Sequence, residues 1–237
     1  MSDLRREIDR MIESDDLAGL LTKTGELHGH HCIGSAMGVM AAHKAMKELG
    51  IKETTGMEHV LAIVETNNCF SDGVQLVTGC TFGNNALIYR DYGKTAFTLL
   101  KRDGDGIRIA ARSEASEILK NKDHEAVELY NKVVNERKAT PEEEARMIEI
   151  NKRHCYNILS IPAEKIFNIE RVKMEPPARY SRILESRLCV KCGEKVMATK
   201  TIKRRGEDFC IPCAETTYSQ LDWSGIIKRN PSRNHSK

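Results

Sequence analysis

Two cysteine couples near the C-terminal end constrain this chain more than any other feature: Cys189-Val-Lys-Cys192 and Cys210-Ile-Pro-Cys213, with seventeen residues between them. Each Cys-x-x-Cys wraps a cation through a tight turn, and the stretch between is long enough to bring the chain back for the second couple. Four thiolates at this spacing read as one tetrahedral zinc site. Gly193, directly after the first couple, eases the turn. The alternatives are two disulfides or chance spacing. The start, Met1-Ser-Asp-Leu-Arg-Arg6, lacks the apolar stretch of a secretory leader, so a reducing compartment and a metal are expected.

The length of 237 residues allows a sizeable core beside this small module. No apolar run approaches the roughly 18 residues of a membrane span. The expectation is a cytoplasmic protein with no membrane partner, its other cysteines, Cys32, Cys69, Cys80 and Cys155, being reduced thiols. The net charge of +3 is unevenly divided: residues 1–170 carry net −5 and residues 171–237 net +8. Met174-Glu-Pro-Pro-Ala-Arg179 holds two prolines that neither continue a helix nor donate to a sheet. The expected division is an α+β core over 1–172, a linker over 173–186, a zinc finger over 187–216, and a basic, flexible tail over 217–237.

Within the core, apolar spacing predicts a first helix through about Ser14 and a second from Gly34 to Leu49, closed by Gly50. Gly34, Ala36, Gly38, Ala41 and Ala42 make the second helix slim enough for close backbone packing. Val60–Val64, Leu87–Tyr89, Thr95–Leu100 and Ile107–Ala110 read as strands, with Asp103-Gly-Asp-Gly106 as the turn between the last two. Asp72–Thr78 reads as a short helix. Ser113–Arg137 and Thr140–Leu159 read as two long ones, the latter opening on a capped, acid-rich turn. The sum is a mixed α+β core.

Two segments concentrate the chemistry. Leu27-His28-Gly-His30-His31-Cys32-Ile-Gly34 places imidazoles and a thiol directly before a helix, where free N–H groups and the dipole stabilise a thiolate. Glu65-Thr-Asn-Asn-Cys69-Phe-Ser-Asp72 leaves a strand and again precedes a helix. Soft ligands from both loops, His28, His30, Cys32 and Cys69, would capture a second transition metal in the core. Alternatively, Cys32 or Cys69 would act as a nucleophile, or the cysteines are simply buried apolar groups beside a hydrogen-bonded histidine turn. Glu65, Asp72, Cys80, Asp91 and Lys94 are candidates to line a polar cavity around that centre.

These runs resemble the E-subunit family of formylmethanofuran dehydrogenase. The resemblance rests on His28–Gly34 and its small-residue helix, Glu65–Asp72, Gln75, Thr78-Gly-Cys-Thr-Phe-Gly-Asn84 and Asp91-Tyr-Gly-Lys-Thr-Ala96. Ile33 stands where the family usually has proline, and Gly73 where it has alanine. The resemblance implies an α+β core that forms intertwined dimers, its His, Cys, Asp and Gly positions gathered around a cavity. It also implies a link to molybdenum or tungsten enzymes of one-carbon, methanogenesis-related metabolism, with an appended four-cysteine finger as a variant. The expected function is binding of a metal or small ligand in the core, with the finger structural or a docking module. Two alternatives stand beside it. One is a cysteine-dependent enzyme acting on a one-carbon or sulfur group. The other is a regulator binding nucleic acid or protein through Lys200-Thr-Ile-Lys-Arg-Arg205 and the basic tail, a nucleic-acid partner being less favoured.

Overall fold

The computed structural model describes residues 5–52, 59–175 and 184–231. The chain divides into two compact units, residues 1–179 and 180–237.

The first unit is a five-stranded sheet with helices. Its strands are β1 (Val60–Val64), β2 (Leu87–Tyr89), β3 (Ala96–Lys101), β4 (Asp105–Ala111) and β5 (Phe167–Lys173), in the order β2-β1-β3-β4-β5. β1 and β2 are parallel and every other pair is antiparallel. β1 is buried along its whole length, as a continuous Val-Leu-Ala-Ile-Val run requires. The helices are α1 (Arg6–Glu13), α2 (Leu17–His28), α3 (Ile33–Glu48), α4 (Cys69–Thr78), α5 (Ala115–Leu119), α6 (His124–Tyr130), α7 (Pro141–Ile158) and α8 (Ala163–Ile166).

The closest packing in this unit is α3 against α4, and glycine makes it so. A Cβ added at Gly38 would lie 2.1 Å from the Phe70 carbonyl oxygen, and one at Gly73 would lie 2.5 Å from that of Ser35. Two backbones in contact place the N-termini of both helices side by side. Gly34 sits at this crossing, where an added Cβ would meet the Cys69 Cβ at 3.1 Å.

Several elements depart from the sequence expectations. α2 is a full helix whose glycines hide its periodicity; the Asp16 side chain caps it by accepting from the Gly19 amide at 2.8 Å. The helix expected over 113–137 is broken. After α5 the chain turns, Asp123 accepts from the Glu125 amide and starts α6, and a π-helical turn follows over Asn131–Glu136. β5 is an additional strand on the open edge of the sheet.

The second unit consists of three hairpins: β6 (Ser186–Leu188) with β7 (Lys195–Met197), β8 (Thr201–Arg204) with β9 (Glu207–Cys210), and β10 (Tyr218–Asp222) with β11 (Gly225–Arg229). The last hairpin corrects the flexible tail expected from residue 217: Asp222-Trp-Ser-Gly225 is a turn in which Asp222 accepts from the Ser224 amide and hydroxyl. Of the expected linker, residues 176–183 lie outside the described residues. Among the described residues, no helix is long and apolar enough to cross a membrane.

Candidate metal centres

The four finger cysteines converge. Cys189 and Cys192 lie on the β6–β7 connection, Cys210 ends β9 and Cys213 lies in the turn beyond it; all four Sγ atoms lie within 4.8 Å of one another. The turns are tied by backbone bonds, Gly193 N–H to Cys189 O at 2.8 Å and Ala214 N–H to Cys210 O at 2.8 Å. Cys192 Sγ and Cys210 Sγ are 3.9 Å apart. Zinc–sulfur bonds of about 2.3 Å in a tetrahedron put sulfurs about 3.8 Å apart, so this pair already stands at the edge length of a shared cation.

In the core, His28 closes α2, Gly29 turns the chain with φ +87°, and Cys32 caps α3. The Cys32 sulfur accepts from the Ser35 amide at 3.4 Å, its thiol lies 3.5 Å from the Ser35 hydroxyl oxygen as donor, and that hydroxyl donates to Cys32 O at 2.8 Å. Asn68 caps α4 in the same manner, its side chain accepting from the Phe70 amide at 3.0 Å, which leaves Cys69 as the first residue of that helix. Ligand atoms of His28, His30 and Cys32 fall within 4.8 Å of one another, and His30 is exposed.

Asp72 connects the two loops. His28 Nδ1–H donates to Asp72 Oδ2 at 2.7 Å, and Gln75 Nε2–H holds the other carboxylate oxygen at 3.0 Å. This bond fixes the imidazole tautomer and leaves the Nε2 lone pair facing Cys32 Sγ, 3.8 Å away. For metal bonds of about 2.0 Å to nitrogen and 2.3 Å to sulfur, the tetrahedral edge is about 3.6 Å, close to that spacing. Cys69 does not join the three-donor group; its thiol hydrogen-bonds to Cys32. That bond, followed by those from Ser35, holds Cys32 well below the usual thiol range, while Cys69 is pushed up, chiefly as the donor in the pair. The arrangement offers one thiolate and two imidazoles with an open side, a donor set suited to zinc or another soft transition cation.

The remaining candidates lie elsewhere. Glu65 is buried, and Arg108 on β4 grips its carboxylate through Nε at 2.7 Å and Nη2 at 2.8 Å, which holds the carboxyl below its usual range. Asp91 is exposed and accepts from the Tyr89 hydroxyl at 2.6 Å. Lys94 is exposed, and its backbone amide donates to Glu65 O at 3.0 Å. Cys80 sits in the apolar core with its sulfur toward the carbonyls of Thr78 and Val60, and burial pushes it up to about 11. The motif around it is structural: Asn84 Nδ2–H donates to Gly79 O at 2.7 Å and Asn84 Oδ1 accepts from Thr81 N–H at 2.9 Å. His31 points away from the cluster, its ring over Gly25 and its Nε2 3.3 Å from the Tyr156 hydroxyl.

Sequence reasoning missed Ser35, Arg108 and the part of Gln75. The Asp72–Gln75 spacing of three on a helix was the available signal for the last. It also missed a cavity of about 730 Å³ between α3, β4 and the α5–α7 helices, with Cys32 in its wall.

An α+β sheet domain with a histidine–cysteine cluster at paired helix N-termini, joined to a four-cysteine hairpin module, defines the class of protein. The family model described as FmdE, molybdenum formylmethanofuran dehydrogenase operon, matches residues 27–168, and the chain belongs to that family. A protein of Archaeoglobus fulgidus named a probable S-adenosyl-L-methionine-binding protein is 40% identical over 216 residues, covering 90% of this chain and 57% of the relative. The chain thus spans little more than half of that relative. The crystal structure of a tungsten formylmethanofuran dehydrogenase FmdE-like protein from Syntrophus aciditrophicus shares the fold. Its TM-score is 0.54 and its identity 22%, covering 84% of this chain and 91% of that one.

Proposed function

We propose that this FmdE-family protein holds a transition metal at His28, His30 and Cys32, with Cys69 and Asp72 supporting them, and a structural zinc at Cys189, Cys192, Cys210 and Cys213. The core centre serves metal-dependent binding in one-carbon metabolism associated with molybdenum or tungsten enzymes. The finger stabilises its module and docks it. The observation that carries the core reading is the His28 imidazole, tied at Nδ1 by Asp72 and presenting Nε2 to Cys32. A homodimer and a molybdenum or tungsten enzyme partner belong to the same reading; exposed Leu27, Phe82 and Tyr92 leave apolar surface for the second copy. The Archaeoglobus relative's name does not extend this reading to S-adenosyl-L-methionine, because nearly half of that protein lies outside the shared region.

The test is metal content per purified chain. About two metals support both centres, and Cys32→Ser should remove one of them. One metal, lost only on replacing a finger cysteine, rejects the core centre.

A second reading, a cysteine nucleophile, draws on the hydrogen bonds that the Ser35 amide and the Cys69 thiol donate to the Cys32 sulfur. It predicts rapid alkylation of Cys32 by iodoacetamide that an added metal does not slow.

A further inference from the structure

We propose that the cavity beside Cys32 is a binding site for an amphiphilic organic anion, a carboxylate or phosphate ester with an apolar body. The cavity measures about 730 Å³, within the roughly 300–1,000 Å³ of small-molecule sites. It exists because its wall is built from small side chains: Ala111, Ser113, Ala115, Ser116 and Ala126 leave a concavity where larger residues would close the core. Its floor is apolar, with Met37, Leu119 and the buried Cys155.

The charged side chains on its wall are all of one sign. Arg112 and Lys120, both exposed, stand among the lining residues; the nearest carboxylate to Arg112, that of Glu114 at 3.8 Å from its Nε, lies outside the lining and is exposed, a loose pair that a bound anion would displace. An apolar floor under two cations fits a molecule that buries a hydrocarbon body and keeps its anionic group at the mouth. Two further features belong to the site. Tyr130, on its wall, is where α6 passes into the π-helical turn, an irregularity that accompanies functional sites. His154 Nε2–H donates to Leu119 O at 2.8 Å, tying α7 to the end of α5 and keeping the two sides apart. Cys32 belongs both to this wall and to the histidine cluster, so a bound ligand would lie against that cluster. The pocket goes beyond the metal reading and does not require it.

The probes are octanoate, octyl phosphate and neutral 1-octanol, titrated calorimetrically into the full-length protein, with metal content measured on the same samples. Saturable one-to-one binding is expected for one of the anions, and which one identifies the head group. Ser116→Trp, at the exposed mouth, and Ala111→Leu, in the wall, should each weaken it at least tenfold while metal content stays constant. Arg112→Ala with Lys120→Ala should weaken the anion about tenfold, the scale of a charged hydrogen bond, and leave octanol unchanged. Absence of saturable binding by both anions overturns the proposal, as does binding indifferent to Ser116→Trp and Ala111→Leu. A Ser116→Trp protein that changes from dimer to monomer with anion binding unaltered also overturns it and assigns the cavity to a second copy. A single metal per chain, lost only on replacing a finger cysteine, with anion binding intact would sink the core-metal reading alone.

Discussion

His28 and Asp72 come from different helices, 44 residues apart in sequence, and their Nδ1 and Oδ2 atoms lie 2.7 Å apart. The bond exists because α3 and α4 touch through Gly38 and Gly73, which brings the Asp72 turn of α4 alongside the end of α2. Backbone packing thereby selects the imidazole tautomer at the candidate metal centre. Asp72→Asn keeps the shape and removes the charge. It should weaken core metal affinity by about 10–100-fold with little change in unfolding temperature, as read by competitive chelator titration.

The glycine contact itself is testable. Gly73→Ala restores the residue usual in the family, yet its Cβ would have to sit 2.5 Å from Ser35 O and 2.6 Å from Val39 N. Forcing α3 and α4 apart should cost about 1–3 kcal/mol, lower the melting temperature by several degrees and reduce core metal occupancy along with it. An unchanged melting temperature would show that the helices do not meet this closely.

Glu65 and Arg108 set a pH dependence. Arg108 holds the Glu65 carboxyl below its usual range, so the folded-state value is depressed. The resulting stability is fully present above the unfolded value of about 4.3 and is lost as pH falls through the folded value. Glu65→Gln should cost about 2 kcal/mol at neutral pH, and below about pH 4 its melting temperature should approach that of the wild type. Curves that stay parallel down to about pH 2 would rule out a depressed carboxyl.

The finger should depend on its metal. A module this small cannot build an adequate apolar core. Cys192→Ser or Cys210→Ser should therefore release zinc and open residues 187–216 to protease while the first unit stays folded. Full zinc and full protection in both variants would dismiss the four-cysteine site. The net +8 of residues 171–237 should give polyanion binding that collapses with salt and shows no sequence preference. A competitor-resistant complex lost on replacing Lys203, Arg204 and Arg205 by alanine would favour the regulatory reading instead.

Much of this was legible in the residues. The Cys-x-x-Cys couples sit at one point because two turns and two hairpins leave little freedom in how they meet. The slim face of α3 was visible as Gly34 and Gly38, and it is the face that meets α4. What could not be read was pairing at a distance. Nothing local to Glu65 announces Arg108, whose register is fixed by β3 lying between their strands. Cys80 resembles its neighbours in the motif, but its side chain faces the core side of the turn. The cavity beside Cys32 arises where α5 stops and α6 begins, and a periodic apolar run over 113–137 conceals that break.

The central claim is a cation held between His28 and Cys32. Anomalous diffraction from crystals of metal-replete protein, collected at the absorption edge of the metal found, tests it most directly. The account predicts two peaks per chain, one among the four finger sulfurs and one within about 2.0–2.4 Å of both His28 Nε2 and Cys32 Sγ. A full-height peak at the finger with none between His28 and Cys32 would contradict it.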